Sequence, residues 1–262
     1  GKGRYDSFTF PQSGFKLKGS KLTLSKIGDI KIINHREIEG KIKTLTIRKT
    51  STGKWFACFS CEIEKDVVTQ PIDNSIGIDL GLSTFATFSN GGSIPRQRFF
   101  KEYEKKLAKA SRKRELQEKG SKARSKARLV ESKIHERIAN LRKDFAHKQS
   151  LNLIKSFDLI CLEDLSIKSM QEGDKKNIRK GIADVAWNQF VQFTQYKAAS
   201  AGKRVILVNP KNTTKECSRC GCIVPKELSE RTHSCSCGLV LDRDLNAAIN
   251  ILRRGLASLA KA

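Results

Sequence analysis

No run in this 262-residue chain is apolar for long enough to span a bilayer, and none has the hydrophobic core of a secretory leader, which argues against a membrane-embedded or exported protein. Acidic residues are scarce beside basic ones. Against 51 Lys and Arg stand 27 Asp and Glu, a formal charge of +24 that goes far beyond what solubility requires. Such a charge suits a polyanion whose phosphates release counterions on binding, so nucleic acid is the leading partner and a membrane is not. A disulfide framework spread along the chain is also missing. Cysteines crowd between Cys217 and Cys237, with Cys222 among them, which is how a metal site in a reducing compartment is distributed. There is no nucleophilic tyrosine motif to explain. What is present is an apolar content of 38%, enough to fill the core of one large domain or two modest ones. A soluble, cytoplasmic protein is expected. The chain begins at Gly1 and its first residues read as the middle of a β-rich unit, so a preceding segment is expected as well.

From residue 8 to 63, short β-leaning runs at 21–24, 30–33, 42–48 and 55–63 alternate with turn residues such as Ser51, Thr52 and Gly53. This reads as part of a small barrel or sheet. Cys58 and Cys61 have metal-ligand spacing, but residues three apart on a strand point to opposite faces, so both are read as packing cysteines. After Pro71 a new domain opens with a β-meander: SIGIDLG from Ser75, a second strand at 85–89, an Asn90-Gly91-Gly92 turn, and a third strand reaching Phe100. Residues 101–157 turn helical, with a break at Gly120. Ala127, Val130, Ile134, Ile138, Leu141 and Phe145 recur every three or four residues, as the apolar seam of a helical hairpin does. Its other faces carry Lys105, Lys106, Lys109, Arg112, Lys113, Arg114, Lys122, Arg124, Lys126 and Arg128. Charges of one sign cannot support a helix surface by alternating pairs, so they are read as phosphate contacts. Residues 158–165 form a buried strand ending in acids, and a polar stretch before Asn177 reads as a candidate lid. An amphipathic helix at 187–201 stops at Gly202, a strand follows at 204–208, and after the cysteine cluster residues 245–253 form the last helix.

Three acidic positions stand at the ends of these elements. Asp79 follows an apolar strand and precedes a glycine, at the strand end where α/β sheets collect ligands, although an Asp before Gly81 also serves a turn. Glu163 ends the run Leu159-Ile160-Cys161-Leu162, where an unpaired buried charge is expensive without a cation, while the neighbouring Asp164 reads as an exposed strand-end acid. Asp242 and Asp244 begin a helix, where one of them is a natural N-cap. Three such acids gathered from distant parts of an α/β domain can bridge two divalent ions, one activating water and the other steadying the leaving oxygen of a phosphodiester.

The cysteines carry a sharper signal. Cys217-Ser218-Arg219-Cys220-Gly221 is a knuckle that turns both sulfurs to one ion, and Cys235-Ser236-Cys237-Gly238 closes the site after a β-like hairpin. The second pair has one intervening residue where two are usual, so His233 or Cys222 could replace a ligand. Cys217, Cys220, Cys235 and Cys237 are the best four. A closed four-ligand zinc site leaves no open position for substrate and is therefore structural.

Taken together, GIDLGLSTFATFSNG, LEDLSIKSM, CSRCG followed by CSCG, and DRDLNAAINIL resemble the TnpB (OrfB) proteins of insertion sequences, relatives of type V CRISPR effectors, and the likeness runs from about Phe8 onward. The resemblance implies an α/β, RNase H-like (RuvC-type) nuclease domain at 71–209 with a helical insertion at 101–157, a zinc ribbon at 210–240 and a closing RuvC helix at 241–262. Residues 1–70 would be part of an oligonucleotide-binding-like β-barrel, of which family members carry more, interrupted by a helical recognition lobe. It further implies that Asp79, Glu163 and Asp244 are the catalytic acids holding Mg2+ (or Mn2+), with Asp242 the alternative for the third place. Proteins of this family pair an RNA from the transposon end with target DNA, recognise a short flanking motif and cut both strands. Base pairing would then read the target while basic helices hold backbones.

Three functions compete. A magnesium-dependent DNA endonuclease needs the intact acids. An N-terminally truncated, cleavage-incompetent nucleic-acid-binding protein with a zinc ribbon needs only charge and cysteines, as does a basic zinc-ribbon protein of ribosomal type, for which Asp79→Ala changes nothing. The transposase label would imply strand transfer, whereas the resemblance points to a nuclease that maintains the element.

Overall fold

Alternating polar and apolar residues at the start of the chain build two antiparallel three-stranded sheets. The computed structural model describes residues 5–64, 66–164, 186–227 and 230–260. One sheet has the order β1 (Ser7–Phe10), β5 (Lys41–Lys49), β6 (Trp55–Glu62), and the other runs β2 (Phe15–Lys18), β3 (Lys21–Leu24), β4 (Gly28–Lys31). Leu22, Leu24, Leu45 and Ile47 form their core, joined by Phe10, Phe15, Leu17 and Phe59. Cys58 is exposed and Cys61 half-buried, as alternation on β6 requires, and neither is bonded to another cysteine. The strand expected at 30–33 lies earlier, because β3 turns back through Lys26 (φ 64°) and pairs Leu24 with Gly28, leaving Ile33 94% exposed.

The helical stretch resolves into α1 (Phe99–Glu115) and α2 (Lys122–Ser156), separated at Gly120, whose φ of 91° suits a residue without Cβ. Residues up to Asp66 and Leu107–Glu136 make one compact unit, and Val67–Lys106 with the chain from Arg137 onward make the other. Two sequence expectations change here. Val130 is 54% exposed, because the buried position on that turn belongs to Glu131, which accepts a 2.6 Å bond from Arg114. Arg114 and Arg124 are likewise half-buried: Arg124 donates to the Arg114 and Gln117 carbonyls at the frayed end of α1, so these two arginines have internal partners where phosphate contact was expected.

The second unit is a mixed α/β layer. Its five-stranded sheet has the order β11 (Arg204–Val208), β10 (Leu159–Glu163), β7 (Ser75–Leu80), β8 (Thr84–Phe88), β9 (Ser93–Pro95), parallel among the first three and antiparallel thereafter. The third strand of the meander ends at Pro95 instead of reaching Phe100, since proline offers no N–H to extend the ladder and α1 starts at Phe99. Ile160 and Leu162 of β10 face a core of Ile76, Ile78, Phe85, Trp187 and Phe190, while Leu159 and Cys161 face Val208 and Ile251, so the central strands are covered on both faces. The first face is roofed by α3 (Trp187–Ser200) and the distal half of α2, the second by α4 (Arg243–Leu259). Helix α4 comes very close: a Cβ on Gly77 would lie 2.7 Å from the Leu252 Cβ and closer still to the Ala248 carbonyl. The last helix is longer than the 245–253 expected, and a hairpin of β12 (Thr232–Ser234) and β13 (Val240–Asp242) precedes it. The polar stretch read as a lid lies outside the described residues. Among the described residues no helix is long and apolar enough to cross a membrane.

Candidate metal centres

Register brings two of the acids together. On the parallel pair β7 and β10, Ile78 sits opposite Leu162, and one residue further along each strand come Asp79 and Glu163, side by side at the same sheet end. Each is 7% exposed. The third acid arrives on α4. The close packing of Ala248 and Leu252 over Gly77 sets the helix along β7, and one turn before Ala248 the Asp244 side chain reaches the strand end, where a Cβ on Gly81 would lie 4.0 Å from its Oδ2. Asp242 has a different task. Its Oδ1 accepts the Asp244 and Leu245 N–H groups at 2.9 and 3.0 Å, so it is the N-cap of α4, and Asp244 is the acid that turns to the sheet.

The electrostatics record this convergence. Burial pushes the Asp79 carboxyl up to about 8, with Glu163, Asp244 and Asp242 adding repulsion and Arg243 partly offsetting it. Burial also raises Glu163, against a hydrogen bond from Thr213 and the charge of Arg254. Arg243 lies 3.4 Å from Asp244 Oδ1 and donates to the Glu230 carbonyl at 3.0 Å. More exposed, Arg231 stands 3.7 Å from Asp244 Oδ2 and donates to Ser83 at 2.8 Å, a cation at the rim of the acid cluster. Like-charged carboxylates crowded out of water favour either protons or divalent cations, and the raised value of Asp79 is the signature of that choice.

The cysteines meet more tightly. The Sγ atoms of Cys217, Cys220, Cys235 and Cys237 all lie within 4.8 Å of one another, the only such group of three or more Cys, His, Asp or Glu among the described residues. The acids are therefore spaced more widely than the shell of a single ion. Cys217 and Cys237 are 3.7 Å apart and Cys220 and Cys235 3.5 Å, close to the edge of about 3.8 Å that a tetrahedron with 2.3 Å zinc–sulfur bonds has. The donor set thus fits zinc. Burial opposes ionisation of Cys217, but the backbone N–H groups of Cys220 and Arg219 together with the His233 and Cys220 side chains outweigh it and hold the thiol below its ordinary range. Cys222 is exposed, and its part is to accept the Cys217 N–H with its carbonyl. His233 is fully buried beside the cluster without entering it. The hairpin expected between the two cysteine pairs instead carries the second pair in its own turn, from Ser234 to Val240.

Sequence reasoning missed the residues that brace these groups. Thr213 donates to Glu163 from a loop that showed no motif, and Asn246, Asn250 and Arg254 use one side of α4 to hold the same loop. The only signal was the run of polar residues at four-residue spacing in NAAINILRR.

The family described as "Probable transposase" matches residues 58–173, and "Cas12f1-like, TNB domain" matches residues 187–251. A protein of Streptomyces pristinaespiralis named "Putative RNA-guided DNA endonuclease" is 32% identical over 97% of this chain and 64% of its own length. The "Putative RNA-guided DNA endonuclease InsQ" of Escherichia coli is 30% identical over 99% of this chain and 68% of its own length. The chain thus spans about two thirds of the length of these relatives. A protein in the cryo-EM structure of a Cas12f1–sgRNA–target DNA complex shares the fold, with a TM-score of 0.58 and 16% identity over 94% of this chain and 58% of that one.

Proposed function

This chain belongs to the TnpB family, and from that premise we propose that it is the nuclease-bearing part of a transposon-encoded, RNA-guided DNA endonuclease. In this reading residues 71–209 are an RNase H-like, RuvC-type domain with its helical insertion at 101–157, residues 210–240 a zinc ribbon, residues 241–262 the closing helix, and residues 1–70 part of an oligonucleotide-binding-like barrel. The observation that carries the proposal is the meeting of Asp79, Glu163 and Asp244, far apart in sequence, at one end of a parallel strand pair, where burial first and then mutual repulsion raise Asp79 to about 8.

Magnesium or manganese, when bound there, supplies the Lewis acidity that activates water and steadies the leaving oxygen of a phosphodiester. The chain's own residues supply the rest. Asp79 must give up its proton to bind a cation, so its burial acts as a filter for divalent charge. Thr213 donates to one oxygen of Glu163, and among the described residues the other accepts no hydrogen bond. Asp242 caps α4 so that Asp244 faces Gly81. Arg231, at the rim, is placed to meet a backbone phosphate. Zinc held by Cys217, Cys220, Cys235 and Cys237 is structural, closing a loop too small for a core of its own. The exposed lysines of α1 and of the first half of α2 engage the backbones of target DNA and of guide RNA from the transposon end.

The test is cleavage of single-stranded and matched double-stranded DNA by the purified chain, with and without magnesium, with co-expressed transposon-end RNA, beside Asp79→Ala. Cutting that needs magnesium, needs the RNA and vanishes in the variant is expected. Salt-sensitive binding with no cutting would overturn the nuclease reading in favour of a nucleic-acid-binding protein.

A further inference from the structure

Glu163 receives its one side-chain hydrogen bond, among the described residues, from the loop that leads into the cysteine knuckle, and we propose that Thr213 is the positioning residue for this carboxylate. Its role is to tie the acid cluster to the knuckle and to α4. The inference rests on the reading of Asp79, Glu163 and Asp244 as metal ligands.

Both partners are buried, Thr213 at 2% and Glu163 at 7% exposure. The Thr213 hydroxyl has one proton and two acceptors in reach, Glu163 Oε1 and, at 3.0 Å, the Pro210 carbonyl. A carboxylate is the stronger acceptor, so the proton goes to Glu163 when that group is ionised. Holding Oε1 fixes the plane of the carboxylate and leaves Oε2 for a cation. Arg254 does not compete for the role: its Nη1 donates to the Asn209 and Lys211 carbonyls at 2.8 and 2.7 Å, and its Nη2 pairs with Glu216.

The loop that carries Thr213 is itself fastened to the helix that carries Asp244. Asn250 donates to the Thr213 and Glu216 carbonyls at 2.9 and 2.6 Å, Asn246 donates to the Glu216 carbonyl at 2.8 Å, and the Ser218 N–H donates to Asn246 Oδ1 at 2.9 Å. Both asparagines are fully buried, an expensive place for an amide unless it satisfies backbone groups that have no regular partner. Asn246, Asn250 and Arg254 are spaced by four along α4 and therefore share a side, and the loop they clasp runs directly into Cys217. Glu163, Asp244 and the first zinc ligand pair are thereby set by one clasp, and among the described residues Thr213 makes its one hydrogen bond to the Glu163 carboxylate.

A plain structural role, in which Thr213 merely closes the turn on Pro210, predicts lost stability and nothing else. The two readings separate in metal binding. In the 262-residue chain, Mn2+ affinity is measured by calorimetry for wild type, T213V, T213S and Asp79→Ala, with zinc content, unfolding midpoint and magnesium half-saturation of cleavage alongside. The valine variant keeps shape and removes the hydroxyl, so Mn2+ binding and magnesium half-saturation are expected to worsen by about 10- to 100-fold, as for other partners that orient metal ligands. Serine restores both, and zinc content stays unchanged. Should T213V fail to fold, T213A carries the comparison, since it also removes the hydroxyl but puts no methyl against the carboxylate. Wild-type affinity in the hydroxyl-free variant, with Asp79-dependent binding present in the wild type, would overturn the role of Thr213 alone. Absence of Asp79-dependent Mn2+ binding in the wild type would overturn the metal-site reading and this inference with it.

Discussion

Replacing Asp79 by asparagine should stabilise the metal-free chain, and increasingly so as pH rises. The Asp79 carboxyl stands at about 8 in the folded chain against 3.8 for a free aspartate, chiefly from burial and then from Glu163 and Asp244. Between about pH 4 and pH 8 the unfolded chain has released this proton while the folded chain keeps it, so rising pH destabilises the fold across that window and the loss is complete above it. Each pH unit costs the fold about 1.4 kcal/mol, so the advantage of D79N over wild type should grow by roughly 4 kcal/mol from pH 5 to pH 8, less whatever water entering the site relieves. Trp187, 2% exposed in the core beneath the sheet, reports unfolding by fluorescence in urea, with Trp55 already 57% exposed and nearly silent. The series belongs in zinc-replete buffer without magnesium. Adding magnesium should then stabilise wild type by mass action and leave D79N unmoved, closing the gap. A gap that is flat in pH, or a variant less stable than wild type at pH 8, would refute the account of a carboxyl strained by burial and by its neighbours.

Other parts of the site give sharper contrasts. Asp242→Ala removes the cap of α4 and should cost about 1 kcal/mol in the same urea assay while retaining Mn2+ binding, whereas Asp244→Ala should lose Mn2+ binding with little change in stability; the opposite result would make Asp242 the third acid. Gly77→Ala drives a methyl into the Ala248 carbonyl and Leu252, and should lower stability by about 3 kcal/mol by pushing α4 off β7, with magnesium-dependent cleavage lost in parallel. Cys217→Ser should strip zinc from the purified chain, while Cys222→Ser should leave the zinc content of wild type, both read by elemental analysis.

Strand ends are legible in the sequence because they are written locally. SIGIDLG and LICLE each place a short apolar run before an acid, between turn signals, so the order of residues alone puts Asp79 and Glu163 near strand ends. The third acid is not legible to the same degree. Asp242 and Asp244 both lie where a helix start welcomes a carboxylate, and what separates them is the close approach at Gly77, a tertiary contact that fixes which side of α4 meets the sheet. The seam on α2 departs at one position for a related reason. Val130 fits an apolar period, but Glu131 holds the buried position because Arg114, on another helix, is there to pair with it, and periodicity counts residues without seeing partners.

Thr213 is invisible on the same principle carried further, and Asn246 and Asn250 show no more than their four-residue spacing. None bears a charge or a metal-binding group, and each is defined by what it holds: a carboxylate oxygen, or the Thr213 and Glu216 carbonyls of a loop outside the named strands. Acids that bind cations must be of a given chemical type, so they leave a mark in sequence. The residues that aim them need only reach, and reach is a property of the assembled fold. It follows that variants which abolish metal binding without touching an acid should cluster along the side of α4 that faces residues 209–218, and that such a cluster would locate the scaffold of the site as surely as the carboxylates locate its centre.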